Sequence, residues 1–184
     1  IGRLSDHRAV RIPFTIITEA FRAVPVLVMM MLLYYGLPSV GVKMTPYLAV
    51  VIALVAYNGS VLAEALRAGI EALPRGQKEA GYAIGLRKSG VMRLILLPQA
   101  VRSMLPVIVA QLVVTMKDTA LGFIITYPEL LYLAKQLSGN VQFERPLLPA
   151  AMVIGGIYIV MCLILSGIAK WLEARMRKSP KVRG

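Results

Sequence analysis

Long uncharged apolar runs alternate with short polar segments along this chain. One such run, residues 23–42, lies between Arg22 and Lys43. About 20 consecutive apolar residues in a helix cross the ~30 Å hydrocarbon core of a bilayer. We therefore predict four transmembrane helices, at about 13–35, 46–63, 103–127 and 146–169. They form an all-α polytopic membrane protein with a single transmembrane domain over residues 1–184.

Composition supports a membrane protein. The chain is 58% hydrophobic and its mean hydropathy is +0.70, which is more apolar than soluble domains of this size. The net charge of +12 would suit nucleic acid, but the basic residues flank the apolar runs. We therefore expect a lipid bilayer, and no nucleic acid, as the partner. The single Cys162 cannot form an internal disulfide, and the single His7 leaves no histidine-based metal site.

The distribution of basic residues predicts the orientation. Segments 1–12, 64–102 and 170–184 carry three, seven and six Lys or Arg residues, against three in the loops on the opposite side. Cytoplasmic loops of membrane proteins collect Lys and Arg. The long loop 64–102 and the basic C-terminal tail 170–184 are therefore predicted to be cytoplasmic.

The middle of the cytoplasmic loop contains a short helical pattern. Residues Gln77 to Ile84 suit one amphipathic helix, and Gly76 and Gly85 bound it. Ala80 and Gly81 are small enough to let another surface approach the backbone. A helix of this kind can lie in a groove on a partner protein.

This loop resembles the EAA loop of the membrane-spanning subunits of ABC importers. The pattern is Glu-Ala-Ala, three residues, Gly, nine residues, Ile, one residue and Leu-Pro, and here it falls on Glu79, Ala80, Gly81, Gly85, Ile95, Leu97 and Pro98. Only Gly81 departs from it, standing where the family usually has alanine. The resemblance implies a type I ABC importer fold in which this helix, with Gly76 and Gln77, couples the spans to a separate ATPase subunit. An ordinary cytoplasmic helical loop is the alternative.

A second segment, Thr18 to Val28, is similar to the Glu-x-Phe-Arg-Gly-Thr-Pro-Leu-Leu-Val signature of polar-amino-acid importer permeases. The matching residues are Glu19, Phe21, Arg22, Pro25, Leu27 and Val28, while Ala23 and Val24 replace the Gly-Thr pair. Residues 57–64 and 67–70 most resemble actinobacterial glutamate-uptake permeases, which makes glutamate the expected substrate.

These resemblances also imply partners and a location. We expect a second permease subunit, identical or similar, two ATPase subunits that carry ATP and Mg, and an extracellular substrate-binding protein. The expected location is the bacterial plasma membrane. Because the family usually has five spans and four are visible here, we also expect an N-terminal span that is missing from this chain.

Polar residues within the spans are candidates for a substrate pathway, because polar and ionisable groups at membrane depth are costly and often functional. These are Arg22, Asn58, Ser60, Gln111, Thr115, Lys117, Asp118 and Thr119. The family has Lys-Asp-Thr-Ser-Leu where residues 117–121 read Lys-Asp-Thr-Ala-Leu, and Gln111, Thr115 and Thr119 share one helix face. Helix–helix hydrogen bonding explains the stripe nearly as well. Glu19 and Arg22, three residues apart, are close enough to pair.

No catalytic or nucleotide-binding pattern is present. The chain has no Gly-x-x-x-x-Gly-Lys-Ser/Thr motif and no plausible Ser/His/Asp set. We therefore expect no enzymatic activity and no cofactor in this chain itself. A single-polypeptide channel or an ion-coupled secondary transporter is the alternative, although such proteins normally show more spans or an internal repeat.

Overall fold

The computed structural model describes residues 2–4, 7–139 and 147–177, and that part of the chain consists of helices joined by short turns, with no strand. Seven α-helices organise it: α1 Arg8–Ala23, α2 Val26–Met31, α3 Pro46–Glu71, α4 Arg75–Ala83, α5 Leu97–Asp118, α6 Leu130–Ser138 and α7 Leu147–Arg177. Shorter helical turns extend them: 3-10 turns at Gly2–Leu4 and Thr119–Ile125, π-helical turns at Leu32–Gly36 and Val91–Leu96, and α-turns at Leu37–Ser39 and Lys88–Gly90.

The first predicted span is not one continuous helix. The helical segments Arg8–Ala23 and Val26–Ser39 meet at an angle of 98°. Val24 between them is extended, with φ −91° and ψ 124°, because the ring of Pro25 disfavours the α conformation in the residue before it. The prediction of a span over 13–35 is therefore corrected to two helices, and Pro25 was the signal for the break.

Three helical segments are long and apolar enough to cross a membrane: Pro46–Glu71, Lys88–Ile125 and Leu148–Arg175. The first predicted span makes a fourth only if the bent pair Arg8–Ala23 and Val26–Ser39 is counted as one span. The other predicted ranges shift at their ends. Helix α3 continues without interruption to Glu71, and α5 begins at Leu97 rather than near residue 103. Pro146 and tail residues 178–184 lie outside the described residues.

Helices α3 and α5 pack along one another and form the centre of the bundle. Gln111 Nε2 donates a hydrogen bond to Asn58 Oδ1 at 2.6 Å, and Asn58 Nδ2 donates to its own helix at Leu54 O, 3.0 Å away. Asn58 is buried. Closer to the loop 64–102, a Cβ atom on Gly69 would lie 2.6 Å from Met104 Cγ, so the glycine permits the close approach of the two helices.

A second packed cluster joins α2 to α3 and to the 3-10 turn after α5. Its buried residues are Met29, Met30, Ala49, Val50, Ala53, Leu54 and Ile125. Helix α7, by contrast, exposes most of its large apolar side chains, including Leu148, Met152 and Leu163. An all-round apolar exterior of this kind is what a membrane-spanning helix presents to lipid or to another span.

We predict that Asn58 and Gln111 stabilise the α3–α5 pair jointly. In a double-mutant cycle of Asn58→Ala and Gln111→Ala, the coupling energy should be about 0.6 kcal/mol and no more than about 1.7 kcal/mol, the average and the maximum found for hydrogen bonds between membrane helices. Thermal unfolding of the protein in lipid nanodiscs measures it.

Ser60→Ala is the matched control for this cycle. The Ser60 hydroxyl donates to Ala56 O within α3 at 2.7 Å, so its removal should not couple to Gln111→Ala. A coupling energy of zero between Asn58 and Gln111 would contradict the structural role of their hydrogen bond.

Candidate functional site

The predicted loop helix is present, and it stands out from the bundle. Helix α4 covers Arg75–Ala83, two residues earlier than predicted, and Ile84 forms its C-cap. Gly85 ends it with φ +82°, a conformation that favours glycine. Gly85 N donates to Tyr82 O at 2.9 Å and Leu86 N donates to Gly81 O at 3.1 Å. This pair of bonds is the Schellman motif that closes helix C-termini.

Only Gly81 of α4 is buried; the rest of the helix, including Glu79 and Ala80, is exposed. A Cβ atom on Gly81 would lie 2.8 Å from Ile95 Cδ1 and 2.9 Å from Val91 Cγ2. The surface that approaches Gly81 therefore belongs to the π-helical turn of the same chain. Glycine at the one departure from the family pattern lets α4 rest directly on that turn.

The other matching loop residues hold α4 in place. Gln77 Oε1 accepts a hydrogen bond from Gln99 Nε2 at 3.0 Å, and Gln99 also donates to Ile95 O at 2.9 Å. Leu97 and Pro98 form the first turn of α5, where proline is tolerated because its missing N–H has no partner in the helix. Helix α4 is thus fixed to the start of α5.

The exposed side of α4 carries a positively charged residue, a negatively charged residue and apolar side chains. Lys78 Nζ lies 5.9 Å from the centre of the Tyr82 ring, Glu79 lies beside it in sequence, and Ile84 is 75% exposed at the end of the helix. A cavity of about 220 Å³ adjoins the helix and is lined by residues that include Glu71, Leu73, Arg75 and Lys88. This surface is suited to contact with another protein, because it offers an exposed apolar residue flanked by charged ones.

Arg22 lies in a group of ion pairs beside this loop, and the predicted Glu19–Arg22 pair is present, with Arg22 Nη1 3.3 Å from Glu19 Oε2. Arg3 Nη2 lies 3.0 Å from Glu19 Oε1, and Arg3 also pairs with Glu64. Arg67 Nη2 lies 2.6 Å from Glu64 Oε1. These contacts join Gly2–Leu4 and α1 to the C-terminal half of α3.

Of the polar residues predicted in the spans, Asn58 and Gln111 are brought together, and Thr119 shares a side-chain hydrogen bond with Tyr158 of α7. Asn58 and Gln111 bond each other, as described above. The hydroxyl of Thr115 donates to Gln111 O at 2.8 Å, and that of Thr119 donates to Met116 O at 2.6 Å. Hydrogen bonds to the preceding turn satisfy a hydroxyl within an apolar environment without a partner helix.

Lys117 and Asp118 differ in their exposure to solvent. Lys117 is exposed and Asp118 is half-buried. Lys117 also lines a largely apolar cavity of about 570 Å³ between α5 and α7, together with Gly155, Tyr158 and Cys162. Lys117 is the charged residue among those that line the α5 side of that cavity.

Two structural contacts were missed in the sequence. Glu64 accepts from both Arg3 and Arg67; its spacing to Arg67 was a signal, but Arg3 lies 61 residues away. Glu129 caps α6 by accepting from Leu131 N at 2.7 Å and Tyr132 N at 2.6 Å, and it also accepts from the Tyr158 hydroxyl at 2.9 Å. That second contact ties α6 to α7.

Comparison with known proteins gives consistent matches over nearly the whole chain. The family described as binding-protein-dependent transport system inner membrane component matches residues 1–178. The glutamate transport system permease protein GluD of Corynebacterium glutamicum is 39% identical over 180 residues, which cover 96% of this chain and 65% of GluD. The chain therefore spans about two thirds of the length of GluD. The glutamine permease GlnP of Escherichia coli K12 is 30% identical, covering 96% of this chain and 78% of GlnP.

An arginine permease and two solved structures complete the comparison. The arginine transport system permease ArtQ of Bacillus subtilis is 33% identical, covering 88% of this chain and 73% of ArtQ. The crystal structure of an amino acid ABC transporter with histidines superposes with a TM-score of 0.85 at 28% identity, covering 95% of this chain and 80% of that one. The inward-facing MetNI methionine transporter shares the fold, with a TM-score of 0.67 at 17% identity over 95% and 77% of the two chains. The predicted all-α type I importer fold is confirmed.

We predict that Gly81→Leu separates α4 from the π-helical turn. A large side chain cannot fit against Val91 and Ile95, and overpacking typically costs about 1 to 3 kcal/mol. Hydrogen exchange of the α4 amides should become faster in the variant, measured by mass spectrometry on the protein in nanodiscs.

Gly76→Leu is the control, because it places the same side chain in the first turn of the same helix where a Cβ atom meets nothing within 4 Å. It should leave exchange in α4 nearly unchanged. Equal exchange in the two variants would show that the Gly81 contact does not hold the helix.

Proposed function

This chain belongs to the family of binding-protein-dependent transport system inner membrane components, and we propose that it is the membrane-spanning subunit of an ATP-driven importer of polar amino acids. Glutamate is the substrate that we propose first. The chain itself is not the ATPase in this proposal; ATP and Mg are bound by a partner subunit.

The exposure of α4 is the observation that carries the proposal. The helix is held by Gly81 on its inner side and by Gln77 at its start, and it presents its remaining surface outward. A rigidly mounted, otherwise uncovered helix is suited to fit a groove on another protein. Its position between the ends of α3 and α5 means that a force on α4 acts on both helices.

The proposed assembly contains two permease subunits, two ATPase subunits and an extracellular substrate-binding protein in the bacterial plasma membrane. Closure of the ATPase pair would move α4, and α3 and α5 would tilt with it as a unit. The excess of basic residues in 64–102 and 170–184 supports a cytoplasmic loop and a cytoplasmic C-terminus.

The choice of glutamate is supported by the similarity to GluD, whereas GlnP and ArtQ are named for glutamine and arginine. Lys117 is a further reason to consider an acidic substrate. Lys117 is among the residues that line the cavity between α5 and α7, and a carboxylate in that cavity would be attracted to its positive charge.

Glu79→Lys tests the assembly. We expect the wild-type protein, purified from its native membranes, to bring down an ATPase subunit and a second permease subunit. The reversed charge on the exposed side of α4 should reduce the amount of ATPase recovered, because like charges across an interface are strongly unfavourable.

Lys43→Glu reverses a charge at an exposed residue before the opposite end of α3 and should retain the ATPase. If the wild-type protein is purified alone and conducts substrate without ATP, the importer assignment is wrong and the chain is a channel.

Substrate choice requires a separate experiment. In proteoliposomes containing the complete transporter, unlabelled glutamate should inhibit uptake of labelled glutamate more strongly than glutamine or arginine does. Lys117→Gln should raise the KM for glutamate with little change in kcat, since an interaction present in both bound states mainly affects KM. Unchanged uptake by Lys117→Gln at normal expression would show that Lys117 is not part of the substrate pathway. Stronger inhibition by glutamine or arginine than by glutamate would show that glutamate is not the preferred substrate.

A further inference from the structure

Helix α1 runs nearly at a right angle to the helical segment that follows it. The angle between Arg8–Ala23 and Val26–Ser39 is 98°. The second segment packs against the spanning helix α3 through the buried Met29 and Met30. If the segment Val26–Ser39 extends into the membrane, α1 must lie nearly parallel to the membrane surface.

The charges of α1 agree with that direction. Between Arg11 and Glu19 there are seven uncharged residues, which span about 10 Å of helix. The hydrocarbon core is ~30 Å thick, so α1 cannot cross it without placing charged side chains among the acyl chains. Its 16 residues form a rod about 24 Å long that can lie flat.

The two faces of α1 differ sharply. One face carries Arg8, Arg11, Thr15, Thr18, Glu19 and Arg22. This polar face meets the rest of the protein, where Thr18 is buried and Glu19 pairs with Arg3. The opposite arc carries six large apolar side chains that are 38% to 62% exposed: Val10, Ile12, Phe14, Ile16, Ile17 and Phe21.

We propose that α1 is an interfacial helix that lies in the cytoplasmic surface of the bilayer, with its apolar arc immersed at the boundary of headgroups and acyl chains. Helices with a polar face rich in basic residues and an apolar face bind membranes in this way, with the apolar side about 5 to 10 Å below the headgroups. The proposal requires only that α3 crosses the bilayer and that the segment Val26–Ser39 enters the bilayer beside it. It does not depend on ATPase docking or on the substrate.

The charges favour anionic lipid as the occupant of this face. Arg8 and Arg11 lie on the polar face near the start of α1, where both are exposed, and long basic side chains can reach from such a position to lipid phosphates. The acidic residue of α1, Glu19, is already balanced, because Arg3 and Arg22 lie 3.0 and 3.3 Å from its oxygens. The helix therefore approaches the membrane with a net positive charge.

Tryptophan fluorescence with brominated lipids tests the proposal. Trp171 is the only tryptophan in the chain, so Trp171→Phe removes tryptophan from this subunit, and subtracting the emission of a transporter assembled with that parent removes the contribution of the other subunits. Into it we place Ile17→Trp on the apolar arc and, separately, Thr15→Trp, which lies about 160° away around the helix at ~3.6 residues per turn. The complete transporter is reconstituted into vesicles containing phosphatidylglycerol, with bromine either near the glycerol end or near the methyl end of the acyl chains.

The expected result is blue-shifted emission from Ile17→Trp, quenched more by the shallow bromines than by the deep ones, with weaker quenching of Thr15→Trp. Red-shifted, unquenched emission at Ile17 would place the face in water. Blue-shifted but unquenched emission would place it against protein, and stronger quenching by the deep bromines would place the helix across the membrane. Each of these three results would overturn the proposal. Ile16→Trp, also on the exposed arc, provides the same readout if Ile17→Trp does not assemble.

Discussion

The contact between α3 and α5 is the interaction on which the rest of the structure depends. Gly69 allows Met104 to approach the α3 backbone near the cytoplasmic loop, and Asn58 bonds Gln111 farther along the pair. Because hydrogen bonds and close packing, rather than the hydrophobic effect, hold helices together in lipid, these contacts determine where the two helices meet. The loop that carries α4 begins at the end of α3 and ends at the start of α5, so this same contact positions α4.

Within that loop, α4 has few but well-placed supports. Gly81 rests on Val91 and Ile95, Gln77 bonds Gln99, and Gly85 closes the helix. The supports lie on the inner side, which leaves the outer side free for a partner. The ion pairs from Glu64 to Arg3 and Arg67 lie beside this loop. Through Arg3 they join α1 to α3, and they place the charged groups outside the apolar part of the bundle.

Much of this arrangement could be predicted from the sequence, because lipid imposes long uncharged helices and glycine and proline mark where they end. The helices, the loop helix bounded by Gly76 and Gly85, and the Glu19–Arg22 pair were predicted in this way. The bend at Pro25 was missed because the uncharged run continues through it, and apolar length does not reveal direction. The partners of Asn58 and Glu64 could not be predicted, since Gln111 and Arg3 lie 53 and 61 residues away and depend on packing between distant segments. The roles of the substrate-pathway residues remain predictions.

Site-directed photocrosslinking tests the central claim, that α4 is the surface on which the ATPase docks, most directly. Cys162 is the only cysteine, so Cys162→Ser allows a benzophenone to be attached at Ile84→Cys on α4 or, as a control, at Leu163→Cys on the exposed side of α7. Our account predicts that illumination of the purified transporter links position 84, but not position 163, to the ATPase subunit. A position 84 that reacts only with lipid or with its own chain, in a transporter that contains the ATPase, would contradict it.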